Sequence, residues 1–375
     1  MISQPETPQR IARLTPLDDV LARIDAEVAP VDSRHTGLSC AYGLTLATDV
    51  VIPAAIPAAA LALRDGWAVR SELTIDAGAY APAPLPAAVR VEVGDPLPLD
   101  ADAVAPLDAV GMRAGVAQAL VAVAPGEGVL PRGGDAGPDA ILPAGRRLGR
   151  LQLALLASAG ITAVRVRVPH LRLARARPPG DPMIDAALDC IAEAIRSAGG
   201  VGVSAERGED VEQALHDPEA DAGVVVGGTG SGRHDATVRM LASTGTLIVH
   251  GVGLVPGETS AFGKVGRRPV LALPGRLDAA AAAWHMLGRA MLRRLTESRE
   301  PSRWPTAKLT HKVTSSVGLA ELVPVRLAGE AAHPIPIASG YVPLAALALA
   351  DGWVLVRAES EGYPAGSEVV IRPWP

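Results

Sequence analysis

Residues 221–235, DAGVVVGGTGSGRHD, limit what this chain can fold into more than any other stretch. An apolar run at 223–226 reads as a buried strand, leading into Gly227, Gly228, Thr229, Gly230, Ser231 and Gly232, with a helix expected from 235. Glycines let a ligand approach the backbone, and exposed amides at a helix start attract anions. The spacing is not G-x-G-x-x-G and no lysine follows, so neither a dinucleotide site nor an NTPase phosphate loop is indicated. Alone, such a cluster is as readily a bare strand-to-helix turn as an anion cradle.

The flanking rhythm sets the surrounding fold. Strands are expected at 171–176, 223–226, 247–249 and 270–273, and helices at 183–198, 235–244 and 279–295. That alternation predicts a parallel, doubly wound α/β domain. Upstream, Leu17, Val20, Leu21, Ile24 and Val28 keep helical spacing behind Thr15 as cap and Pro16 in the first turn. Short strands follow at 67–69, 88–93, 117–123 and 140–142, as an inserted β domain. A helix at 149–159 ending at Gly160 is expected to pack back on the first helix, before a strand at 164–168. Beyond a charged linker at 298–305, the tail reads as a small β-barrel.

Composition excludes several classes. At 375 residues the chain can bury several cores without staples, and its two cysteines, Cys40 and Cys190, form no metal or disulfide pattern. A cytoplasmic location is therefore expected. A net charge of −5 with scattered arginines gives no footprint for nucleic acid. The apolar run at 50–63 is short and holds Pro53 and Pro57, so no membrane span is expected.

Further motifs stand in a fixed order: RDGWAV at 64–69, GGD at 133–135, VGGTGSGRHD at 226–235, VPGET at 255–259 with AFG at 261–263, LPGRL at 273–277, then Ser339-Gly340, ADG at 350–352 and PAG at 364–366. This series resembles the molybdopterin molybdenumtransferases of the MoeA and gephyrin E-domain type. The resemblance implies a multidomain α/β plus β protein: an elongated linker and dimerisation domain at 11–48 and 138–168, a β domain at 49–137, an α/β molybdopterin-binding domain at 169–298 and a C-terminal β-barrel at 299–375. It also implies a homodimer that binds molybdopterin or its adenylylated form, inserts molybdate with Mg²⁺ and releases AMP, and meets a molybdoenzyme or another cofactor-synthesis protein. The catalytic carboxylates carried over are Asp65, Asp135, Asp221 and Asp235, with Asp65 and Asp235 as metal ligands. Ligand-binding positions are the 227–232 turn, Pro256, Gly257, Pro274, Gly275 and Arg276.

Several motifs depart from the family pattern. Its R-P-G-K-P reads VPGET here, putting Val255 and Glu258 where two cations are expected, and its L-P-G-N-P-V-S reads LPGRLDA, ending on Ala279. Its T-G-D-E-L is reduced to ARPPGDPM at 176–183, with Asp181 the acidic remnant. A carboxylate beside an oxyanion is repulsive, so molybdate binding there is expected to be weakened. Arg267, Arg268 or Arg276 could supply a replacement cation. Three functions follow: an active transferase, a catalytically degenerate paralogue that binds the pterin or docks a partner, and a bare dimeric scaffold.

Overall fold

The computed structural model describes residues 9–176, 181–205, 211–299, 304–336 and 340–373. The chain divides into two compact units, one of residues 49–143 with 150–164 and the other of 1–48, 144–149 and 165–375.

The larger unit is built on a six-stranded sheet. Val201–Ser204, His170–Arg175, Ala222–Val226 and Arg268–Leu273 run parallel in that order; Ala261–Val265 then pairs antiparallel with Arg268–Leu273, and Thr246–His250 antiparallel with Ala261–Val265. The expected all-parallel sheet is thus mixed, because the tight turn around Gly266 returns the chain directly instead of through a helix. Side chains alternate between two cores. Leu171, Leu173, Val224 and Val226 pack with Ile184, Leu188 and Ile191 of helix Pro182–Ser197, whereas Ala174 and Val225 pack with Leu215 and Leu241. Helices thereby cover both faces, as a doubly wound sheet requires.

Asp181 caps Pro182–Ser197 by accepting from Met183 N at 3.0 Å. The expected helix at 235–244 begins only at Thr237, because Asp235 folds back to accept from Gly232 N at 3.0 Å. The single helix expected at 279–295 is Leu277–Ala283 and Arg289–Thr296 joined by a π turn, Trp284–Gly288.

Helix Leu17–Glu27 has no side-chain cap; Thr15–Pro16, expected to start it, forms a short parallel strand against Val252–Gly253. Val252–Val255 in turn pairs with Ala320–Ala328, joining the C-terminal sheet, in which Ala320–Ala328 also pairs with Ala331–Pro334 and Gly352–Val356. Helix Leu17–Glu27 packs on Arg289–Thr296, whereas helix Arg150–Ser158, expected against it, belongs to the other unit. On that helix Leu156 is buried while Leu151 is exposed.

The smaller unit holds two three-stranded sheets. Val89–Val91, Gly66–Val69 and Ala103–Pro106 form one; Val110–Arg113, Val116–Ala119 and Ala83–Leu85 form the other. Its core gathers Val69, Leu85, Ala105 and Val123.

Parts of three expected features lie outside the described residues: 177–180 of the ARPPGDPM loop, 300–303 of the linker, and Ser339.

Candidate functional site

Strand Ala222–Val226 is wholly buried and delivers the glycine turn to the end of the sheet, where Gly227 and Gly228 take φ of +99° and +70°. Side chains are disfavoured there twice over, since a Cβ on Gly228 would also run into Thr237 Oγ1.

The carbonyls of the turn are engaged. Gly227 O accepts from Thr237 Oγ1 at 2.9 Å and Gly228 O from Thr237 N at 3.1 Å. Gln9 Nε2 donates to Gly228 O and Gly230 O at 2.7 and 2.6 Å, and His250 Nε2 lies 3.1 Å from Thr229 O. The amides of Gly228, Thr229, Gly230 and Ser231 have no partner among the described residues. A run of uncommitted N–H groups is a nest for an anion.

The turn opens on a cavity of about 530 Å³ that Gly228, Thr229, Gly230, Asp235, Glu258, Thr259, Pro274, Gly275, Arg276 and Asp278 line together with Tyr341, Val342 and Leu347. Its volume suits a ligand of cofactor size. Thr229 and Thr259 hydroxyls meet at 2.9 Å, tying the glycine turn to the loop after Val252–Val255. In that loop Gly257 N donates to Glu258 Oε2 at 2.9 Å, and Gly257 O accepts from buried Ser260 Oγ at 2.7 Å.

Across the cavity, Arg276 lays one edge of its guanidinium on Asp278, Nε to Oδ1 at 3.1 Å and Nη2 to Oδ2 at 2.6 Å, and also donates to Gly340 O at 2.6 Å. Buried Asp278 accepts a further bond from Val342 N at 2.9 Å. The Arg276 guanidinium sits 5.2 Å from the Tyr341 ring, and its pKa is raised first by the bond to Asp278 and further by the charges of Asp278 and Glu258. Nη2 gives its two hydrogens to Asp278 and Gly340, and Nη1 has no partner among the described residues, so one terminal nitrogen of a permanently charged group is left over as a donor.

The structure brings Gly228, Thr229, Gly230, Asp235, Pro274, Gly275 and Arg276 to one cavity. Gly227, Ser231 and Gly232 complete the turn behind its lining, and Pro256 lines a small adjoining void of about 10 Å³ with Trp353. Asp221 stands at the opposite end of Ala222–Val226, roughly 20 Å of extended chain from Gly227. There it accepts from His170 N at 2.7 Å, which makes it a strand-end clamp and not a group of this cavity. Arg267 and Arg268 are likewise at the far end of Arg268–Leu273 from Pro274, with Arg268 bonded to Asp217 O. Asp65 and Asp135 belong to the smaller unit. Asp65 Oδ1 accepts from Val93 N at 2.9 Å beside strand Gly66–Val69, and Asp135 N bonds Ile56 O at 2.9 Å next to the Ile56–Ala136 bridge.

Gln9 and Tyr341 were not legible as site residues because neither sits in a motif; Thr259 and Asp278 lie inside VPGET and LPGRLDA, but only the folded chain brings their side chains to the turn and its cavity. The charge of Asp278 in an otherwise apolar helix, LDAAAAA, was the one available signal.

Comparison with known proteins agrees with this geometry. Family profiles match in order: the MoeA N-terminal region (domain I and II) over residues 15–160, a probable molybdopterin binding domain over 181–294, and the MoeA C-terminal region (domain IV) over 306–374. Molybdopterin molybdenumtransferase 1 of Mycobacterium tuberculosis is 29% identical over 358 residues, spanning 80% of this chain and 83% of that protein. A crystal structure of a molybdopterin biosynthesis MoeA protein from Pyrococcus horikoshii superposes with a TM-score of 0.74 at 26% identity, covering 97% of this chain and 100% of that one. A second structure of the protein from that organism, at 22% identity and a TM-score of 0.77, shares the fold. From the order of these regions, the whole-chain similarity and the glycine-turn cavity, this chain belongs to the MoeA family of molybdenum cofactor biosynthesis proteins.

Proposed function

We propose that this protein is a molybdopterin molybdenumtransferase that binds adenylylated molybdopterin in the 530 Å³ cavity and inserts molybdate with release of AMP. The observation that carries this reading is the glycine turn, whose carbonyls are held while the four amides of 228–231 stay uncommitted. Those amides bind a phosphate of the ligand, and the free Nη1 of Arg276 meets a second anionic group. Glu258 works against a bare oxyanion at that spot, and the Arg276 charge beside it offsets the repulsion.

No cluster of three His, Cys, Asp or Glu side chains suited to a metal occurs among the described residues. Magnesium needs only one or two carboxylates when phosphates and water complete its shell, so Asp235 on the cavity wall fits that role. Bound there, the ion supplies charge neutralisation at the phosphate. By likeness to the family, the protein acts as a homodimer in the cytoplasm and passes its product to a molybdoenzyme; no helix among the described residues is long and apolar enough to cross a membrane.

Incubation of the purified protein with adenylylated molybdopterin, Mg²⁺ and molybdate should release AMP. Tight pterin binding with no AMP release over many hours overturns the transferase. Gly228→Ala, which forces a side chain into positive φ against Thr237, should weaken pterin binding at least tenfold. Unchanged affinity would remove the turn from the site.

A further inference from the structure

We infer that Gln9, contributed by the segment before Thr15, is a positioning residue that sets which way the amides of the glycine turn point. This rests on the reading of the turn as the pterin phosphate site. Gln9 is a polar side chain buried to 7% exposure, and it makes three bonds to a segment more than 200 residues away. Its Nε2 takes both Gly228 O and Gly230 O, and its Oε1 accepts from Arg239 N at 3.3 Å.

In a trans peptide the carbonyl and the following N–H point in opposite directions. Holding Gly228 O and Gly230 O toward Gln9 therefore turns the amides of Thr229 and Ser231 away from it. Without such a hold, a glycine-rich turn has many backbone states open to it, and Gly227 to Gly232 would lose their common orientation. The bond to Arg239 N ties the same side chain to helix Thr237–Thr244, which has Ala236 at its N-cap and no side-chain cap of its own. One amide thus fixes the turn to the helix start.

The segment is anchored so that Gln9 arrives in register. Thr15 N donates to Gly251 O at 2.9 Å, Thr15–Pro16 pairs with Val252–Gly253, and a Cβ on Gly251 would collide with Ile11. His250, the neighbour of that anchor, reaches Thr229 O, so strap and turn are joined at both ends.

Two substitutions separate positioning from packing. Gln9→Met keeps the volume and removes every bond, whereas Gln9→Glu keeps the shape and acceptor but presents a carboxylate to two carbonyl oxygens. Both should raise hydrogen exchange in peptides covering 226–235 of the ligand-free protein, leave exchange in 268–273 within twofold of wild type, and weaken binding of adenylylated molybdopterin at least tenfold. Unchanged exchange at the turn, or Gln9→Met binding within twofold of wild type, overturns the inference. Exchange raised equally through 268–273 also overturns it, by making Gln9 a general packing residue. Failure of the wild-type protein to bind the pterin sinks the assignment of the site instead; the exchange measurement then decides the role of Gln9 alone.

Discussion

Glu258 stands where the family pattern has a cation, and the structure shows it sharing a cavity wall with Arg276. Glu258→Gln should therefore raise molybdate affinity several-fold, measured by isothermal titration in the presence of bound pterin; a fall would mean that Glu258 is needed to hold Arg276. Asp278 is the buried member of the pair, and Asp278→Ala strands Val342 N and the Arg276 fork. About 1–3 kcal/mol of stability should be lost for the amide alone, visible as a lower urea midpoint. His285, packed 5.6 Å from the Trp353 ring, has its pKa pushed down to about 3 by burial, with the charges of Arg289 and Arg372 adding to it. Its native form is neutral where an unfolded chain, with a value near 6.5, already takes up the proton. Its contribution is constant above pH 6.5 and is lost as the pH falls toward 3, with a slope of up to ~1.4 kcal/mol per unit. His285→Phe should flatten that part of the profile relative to wild type, checked by urea titrations between pH 7 and 4. The sequence offered Glu258 as a like charge and Arg276 as a replacement cation, but the pairing of Arg276 with buried Asp278 was not legible in it.

The helix after Leu273–Pro274–Gly275 illustrates what periodicity can and cannot reveal. Its extent was readable from the apolar spacing, but its π turn was not, since the spacing carries no mark of it. Gly288 lies against the indole of Trp284, and any Cβ there would strike the ring. Gly288→Ala should cost about 1–3 kcal/mol as an overpacked core position, read from thermal unfolding, whereas a neutral result would mean the helix can rewind locally. The glycine turn was legible because strand, glycines and helix are contiguous, although the helix starts two residues later than expected. Thr15–Pro16 was misread as a helix cap because its partner, Val252–Gly253, is remote and local capping rules cannot see it. Likewise the return strand Ala261–Val265 was missed, and with it the antiparallel edge of the sheet.

The whole molecule divides into two discontinuous units, each with cores of its own, and 150–164 is grouped with the β unit and not with the first helix. That grouping depends on contacts no linear pattern records. Units with separate cores need not melt together. Of the five tryptophans, Trp67 alone belongs to the smaller unit, so the difference in emission between wild type and Trp67→Phe reports that unit. Urea titration should give two midpoints, and Gly288→Ala should move only the one not reported by Trp67; coincident midpoints that shift together would show a single cooperative block. The strap that carries Gln9 adds a consequence in time. Gln9 leaves the ribosome 219 residues before Gly228, an interval of roughly 10–45 s at ordinary translation speeds. Throughout that interval the strap has no turn to hold, so the anion cradle is among the later parts of the nascent chain to be set, and a tag fused next to the strap sits beside the last step of its assembly.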